Sequence, residues 1–356
     1  NLRAGNWLMK LLSFATVTSV GRTRHLGALV SGDADSGEVI DLTAASRALL
    51  ASEGLDEIGA ERITNALCPA STLGFIQGGD RARDLAEKAV AAVLKNGWES
   101  APNLAQIRYK AADIAHLPAI TAPPLLRDFM SFEKHLLNVF PKLNREIPAE
   151  WYKRPVFYKG NAASIGAHKQ EIEFPEYAEV LDLEFEFAIV IGKSGIDIKV
   201  ENARDHIYGY TIYNDFSARA IQSQEMSVGL GPAKGKDFVG AHVLGPILVT
   251  ADEIKDPYSL AMKAWINGVQ WTDGNSNDMH WKFEQMIAYA SWNEHLQVGE
   301  VFGSGTVGDG SGAEQDKVLN PGDVIELDIA GIGKLSNKVV RNRPLDLDIS
   351  KHGGAK

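Results

Sequence analysis

Alternation of apolar and polar positions is sharpest in the middle of the chain. In Leu181-Asp-Leu-Glu-Phe-Glu-Phe-Ala-Ile-Val-Ile191, one face of a strand takes Leu181, Leu183, Phe185 and Phe187, and the other takes Asp182, Glu184 and Glu186. The run then turns wholly apolar, which predicts a strand buried on one or both faces. A second strand-like run, His206-Ile-Tyr-Gly-Tyr-Thr-Ile-Tyr-Asn-Asp215, ends on another acid. Further strands are expected at 243–250, 260–267, 298–303 and 323–330, with one helix at 279–292. Their irregular spacing argues against regular β-α alternation and for a β-rich α+β fold, a mixed roll or sandwich.

The first third reads differently. Short strands at 14–20, 27–31 and 39–42 precede helices, the clearest at 81–94, where Leu85, Ala89 and Val93 recur at helical spacing and Asn96-Gly97 gives the stop. Residues 1–8 read as an extension ahead of Met9, 9–113 as a small amino-terminal α+β domain, the proline-rich segment 114–127 as a linker, and 128–356 as the larger, catalytic domain.

Composition narrows the partners more than the fold. Of 356 residues, 45% are hydrophobic and 23% charged, an ordinary globular balance. No apolar run reaches membrane-span length, so a cytoplasmic location is the default expectation. A net charge of −10 disfavours nucleic acid and anionic membrane surfaces as partners. Cys68 is the sole cysteine, which excludes disulfides within the chain; it reads as a small hydrophobe, with a nucleophile as the alternative.

Unpaired carboxylates on a buried strand are costly, and a divalent cation is the simplest compensation. All-oxygen ligation suits Mg²⁺, Mn²⁺ or Ca²⁺. The alternative is an exposed edge strand with solvated acids. Asp128 and His135 lie seven residues apart, two turns along one face if their segment is helical, and could share a cavity; a solvated surface histidine is the competing reading. Gly303-Ser-Gly-Thr-Val-Gly308 matches a dinucleotide fingerprint literally, but no helix follows it well. The glycines of Gly231-Pro-Ala-Lys-Gly-Lys-Asp237 read as a tight loop presenting Lys236.

Taken together, Leu181-Asp-Leu-Glu-Phe-Glu-Phe-Ala, Gly209-Tyr-Thr-Ile-Tyr-Asn-Asp-Phe-Ser-Ala-Arg219 and Gly231-Pro-Ala-Lys-Gly-Lys-Asp-Phe238 make the chain resemble the fumarylacetoacetate hydrolase superfamily, from about Pro123 to Leu345. The resemblance implies a catalytic domain of that family's β-sandwich roll type and a homodimer. It implies Asp128, Glu184, Glu186 and Asp215 as metal ligands, His135 as general base and Glu326 as its orienting partner. Lys236 and Gln222 match residues that bind substrate oxygens, Tyr158 a substrate-contacting tyrosine, and Thr306 is a candidate contact in the glycine loop. Met130 and Met226 stand where the animal enzyme has tyrosines, which implies a more apolar substrate pocket, and Arg219 reads as an ion-pair residue.

The activity this implies is metal-dependent hydrolysis of a C–C bond in a small 1,3-diketone or acylpyruvate, in catabolism of aromatic or cyclic compounds. Isomerisation, decarboxylation or dehydration of a 2-oxo acid through a metal-bound enolate is the alternative. A metal-stabilised binding protein without catalysis is the alternative of another class.

Overall fold

A computed structural model describes residues 9–19 and 21–353. The expected extension 1–8 lies outside them. The strand Phe185–Ile191 is buried along its whole length and sits inside a large sheet. It pairs antiparallel with Ile207–Asp215 on one side and Val301–Gly303 on the other. Val301–Gly303 runs parallel to Leu126–Phe129, which pairs in turn with Phe157–Gly160. In the other direction, Ile207–Asp215 meets His242–Leu244 and Ile247–Thr250.

Ile247–Thr250 then pairs with Lys10–Thr18, so the amino-terminal strands Lys10–Thr18, Gly21–Ser31, Glu38–Asp41 and Arg108–Lys110 continue the same sheet, of thirteen strands among the described residues. Ala115–His116, in the proline-rich segment, adds to it beside Lys10–Thr18. A second sheet of five strands contains Val269–Asn275, Ala261–Ile266, Val324–Ile329, Gly333–Val340 and Glu171–Glu173. The fold is thus α+β and strand-rich, with two sheets and no barrel among the described residues.

The two-residue period of Phe185–Ile191 sorts its side chains between two cores. Phe185, Phe187, Ile189 and Ile191 pack towards the five-stranded sheet with Met262, Ala264, Leu327 and Ile329. Ala188 and Val190 face the other way, into a core shared with Leu126, Tyr213, Val301 and the helices Leu42–Ser52 and Gly79–Asn96. The helix expected at 81–94 is Gly79–Asn96, stopped by Gly97 at φ +66°, a conformation glycine adopts without steric cost. The helix expected at 279–292 is shorter, Phe283–Ala290.

The condition attached to one sequence reading is not met. Asp128 and His135 do not share a helix: Asp128 lies on the strand Leu126–Phe129, and His135 on the following helix Glu133–Val139. Strand pairing on both sides of Leu126–Phe129 overrides the local helical spacing.

Phe187 is fully buried, stacked on Tyr210 at 5.3 Å between centroids and edge-on to Phe283 at 5.2 Å. Phe187→Ala is expected to cost about 3–5 kcal/mol by urea unfolding. A loss below about 1 kcal/mol would mean that the inter-sheet core is not the main support of this strand.

Candidate metal centre

Three strands deliver one carboxylate each to a common point. Glu186 comes from the middle of the sheet, on the face of Ala188 and Val190; Asp128 comes from Leu126–Phe129, and Asp215 is the last residue of Ile207–Asp215. Their ligand oxygens lie within 4.8 Å of one another and all three side chains are buried. Each also has one buried oxygen without a hydrogen-bond partner: Asp128 Oδ1, Glu186 Oε1 and Asp215 Oδ1. Burial, and then the neighbouring carboxylates, push Asp128 and Glu186 well above the usual carboxylate range. Such a cluster fits a divalent cation with oxygen ligands.

Glycines make the space. A side chain at Gly303 would put its Cβ 2.7 Å from Glu186 Oε2 and 2.7 Å from the Tyr213 ring. The amide of Gly305, at φ +81°, donates to Glu186 Oε2 at 2.9 Å. The literal nucleotide motif is therefore a steric device that keeps the carboxylates' space open.

Glu184 stands beside this triad, engaged elsewhere. Its Oε1 accepts from Arg219 Nη1 at 2.7 Å and its Oε2 from Lys236 Nζ at 2.5 Å. Burial opposes its ionisation, but Arg219 and Lys236 outweigh burial and hold its carboxyl well below the usual range. Lys236 also contacts Asp215, so its ammonium is the cation nearest the cluster. Arg219 bonds Asp182 as well, at 2.6 Å, in the ion-pair role expected of it.

The partner of His135 is a correction. Glu326 lies on Val324–Ile329 in the five-stranded sheet, opposite Trp265 and Ser336, with its side chain exposed. Ile325, Leu327 and Ile329 take the buried face of that strand, which turns Glu326 to solvent. The carboxylate beside His135 is that of Glu314, with Oε2 3.0 Å from Nδ1. The contact has hydrogen-bond length but lies off hydrogen-bond direction.

Glu314 belongs to the short helix Gly312–Gln315 and is held by the Ser311 amide and hydroxyl, both at 3.0 Å, and by the Asp309 amide at 2.8 Å. Burial opposes its charge, but His135, Asn138 and Asp309 outweigh it and keep the carboxyl below the usual range. The sequence carried a signal for it, since Ser311-x-x-Glu314 is a capping box, a pattern that marks a helix start and fixes the glutamate.

The remaining candidates gather loosely. Tyr158 is the cross-strand neighbour of Asp128, its hydroxyl buried without a hydrogen-bond partner, and burial and then Asp215 raise its pKa. Lys236 Nζ lies 5.9 Å from the centre of that ring. Gln222 accepts from Arg219 at 3.3 Å. Met226, on the same helix Arg219–Ser227, is 45% exposed. Met130 is half-buried, and Thr306 is buried in the loop after Val301–Gly303.

A second set of ligand-type side chains, Asp35, His116 and His168, comes equally close together. There His168 Nδ1 accepts from the Ser336 amide at 3.0 Å, which places the ring proton on Nε2, directed at Asp35 Oδ1 at 3.1 Å. A metal-bound histidine needs a lone pair towards the ion and a proton on the far nitrogen, the reverse of this arrangement. Lys169 also pairs with Asp35. The acidic triad, not this cluster, fits a cation.

Residues 125–340 match the family described as fumarylacetoacetate (FAA) hydrolase C-terminal. An oxaloacetate tautomerase, mitochondrial fahd2 of Xenopus laevis, is 39% identical over 199 residues, 56% of this chain and 61% of that protein. The oxaloacetate tautomerase YisK of Bacillus subtilis is 30% identical over 281 residues, 76% of this chain and 87% of that one. Among solved structures, a fumarylacetoacetate hydrolase from Exiguobacterium antarcticum superposes with a TM-score of 0.65 at 23% identity, covering 94% of this chain and 100% of the other. A maleylpyruvate hydrolase from Sphingobium sp. SYK-6, in complex with manganese(II) and pyruvate, gives 0.63 at 22% identity over 94% of this chain and 100% of the other.

Gly303→Ala is expected to weaken Mn²⁺ binding by at least about ten-fold, the scale of lost ligand orientation. Titration followed by the electron paramagnetic signal of free Mn²⁺ reads it. Unchanged affinity would show that the cation does not sit between Glu186 and its neighbours.

Proposed function

We propose that this chain, which belongs to the fumarylacetoacetate hydrolase superfamily, is a divalent-metal tautomerase that interconverts the enol and keto forms of a small 2-oxo dicarboxylate of the oxaloacetate type. The observation that carries the reading is the buried triad Asp128, Glu186 and Asp215, each with one oxygen that accepts no hydrogen bond, together with the Lys236 ammonium and a histidine, His135, faced by the Glu314 carboxylate. The oxaloacetate tautomerase names of two relatives support it.

Asp128, Glu186 and Asp215 would hold the cation, with Glu184 as the fourth candidate. When bound, the cation supplies a chelating Lewis acid for the 2-oxo acid and a sink for enolate charge. Lys236 offers a donor to a substrate oxygen beside the cluster. Glu314 faces Nδ1 of His135 and leaves Nε2 to move the proton. In ketonisation the enol O–H bond breaks and a C–H bond forms at the adjacent carbon, with no net change in oxidation. A histidine can take and return such a proton near neutral pH. Tautomerisation needs no further reactant.

C–C bond hydrolysis of an acylpyruvate or 1,3-diketone is the second reading, and the His135–Glu314 pair is the observation that favours it. A base oriented by a carboxylate is what activating a water molecule requires. Metal-stripped protein resupplied with Mg²⁺ or Mn²⁺ separates the two readings. Metal-dependent loss of oxaloacetate enol absorbance without a change in mass supports tautomerisation. Cleavage of acylpyruvates into two products, with no acceleration of oxaloacetate ketonisation, would replace it with hydrolysis.

For either reaction, His135→Ala is expected to lower kcat by about 10²–10⁴. Glu314→Gln should lower it by a smaller factor, whereas Glu326→Gln leaves it unchanged. A large loss in Glu326→Gln with none in Glu314→Gln would overturn the pairing of His135 with Glu314.

A further inference from the structure

Beside Asp215 lies a histidine that the chemistry above does not use. His242 is fully buried and is the cross-strand partner of Asp215, one strand over. Its Nδ1 lies 3.2 Å from Asp215 Oδ1 and 2.7 Å from the Tyr213 hydroxyl. On the other side of the ring, Nε2 lies 2.9 Å from Asp237 Oδ1 and donates to it. Asp237 is itself tied down: its Oδ1 accepts from the Asn161 amide at 2.8 Å, and its carbonyl from the Ser164 hydroxyl at 2.7 Å.

The ring has no other place to go. Gly160 faces it so closely that a Cβ there would lie 3.2 Å from Nε2. Asp237 also follows Lys236 directly, so one short segment holds Asp215 through both its lysine and, at one remove, His242.

We propose that His242 is a positioning residue for the metal-binding carboxylate Asp215, and that Asp237 in turn fixes the ring of His242. The inference rests on the metal site proposed above. A buried ligand carboxylate with an unpartnered oxygen can rotate out of ligating geometry, and a neighbouring group fixed from behind restricts that rotation. Partners of this outer kind change metal affinity by about 10–100-fold when removed. The relay consists of Asn161 and Ser164 holding Asp237, Asp237 holding His242, and His242 abutting Asp215.

The two ring nitrogens separate positioning from mere packing. Asparagine keeps a polar group near the position of Nδ1, towards Asp215, whereas glutamine keeps one near Nε2, towards Asp237. Mn²⁺ titration of wild type, His242→Asn, His242→Gln and His242→Phe is expected to give near wild-type affinity for the asparagine variant. The glutamine and phenylalanine variants should bind about 10–100-fold more weakly. Asp237→Asn, which leaves His242 in place, should weaken binding several-fold and serves if the His242 variants do not fold by circular dichroism.

Wild-type affinity in both His242→Gln and Asp237→Asn would overturn the positioning role while leaving the metal site intact. Equal weakening in His242→Asn and His242→Phe would assign His242 to packing and overturn it too. Failure of the wild-type protein to bind Mn²⁺ would overturn the metal reading, and the positioning role with it.

Discussion

Like charge crowded into a dry place is the constraint around which this molecule is arranged. Asp128, Glu186 and Asp215 are buried with their oxygens in mutual reach, and Glu184 lies beside them. In a medium of low dielectric constant such charges repel strongly and lose their hydration, so each needs a donor, a cation or a proton. Arg219 and Lys236 satisfy Glu184, and Asp182 receives Arg219 together with the amides of Gly312 and Ala313. The triad keeps one unpartnered oxygen per residue. That imbalance is the basis for assigning a cation to this point.

Sheet geometry explains how the triad can exist at all. Asp128 pairs in register with Gly303, and Gly303 with Ala188, so the strands of Asp128 and Glu186 are separated by one intervening strand. At about 4.8 Å per strand their backbones stand roughly 10 Å apart. Carboxylates can meet across that gap only if the position between them carries no side chain, which is the place Gly303 occupies. The constraint on residue 303 is thus steric and cross-strand, even though its sequence neighbourhood matches a dinucleotide fingerprint literally.

This accounts for what the sequence disclosed and what it withheld. The alternation through Glu184 and Glu186, and the acid ending the Ile207–Asp215 run, exposed the strands and their acidic face, because period two is a local property. Local patterns do not reveal which strands become neighbours. Hence the seven-residue spacing would put Asp128 and His135 on one face only if their segment were a helix, and pairing makes Leu126–Phe129 a strand. Glu326 fails for a related reason: alternation shows that it opposes Ile325 and Leu327, but not that its own face looks to solvent. Glu314 was legible only as a helix cap, and its approach to His135 depends on packing between segments 176 residues apart at the Asn138–Glu314 hydrogen bond.

The amino-terminal third supplies none of the triad's carboxylates, yet the site depends on it physically. Ala188 and Val190, on the Glu186 face, pack in one core with Ala86, Ala89, Val90 and Val93 of Gly79–Asn96, together with Leu126, Tyr213 and Val301. The strands Lys10–Thr18 and Ile247–Thr250 join that region to the central sheet without a break. Exclusion of water from this face removes the hydration that would otherwise stabilise the carboxylates as separate anions, and it pushes Asp128 and Glu186 upward in pKa. The same dryness strengthens every interaction made by a cation or donor placed among them. A layer without reactive groups thereby helps to determine how strongly the reactive ones act.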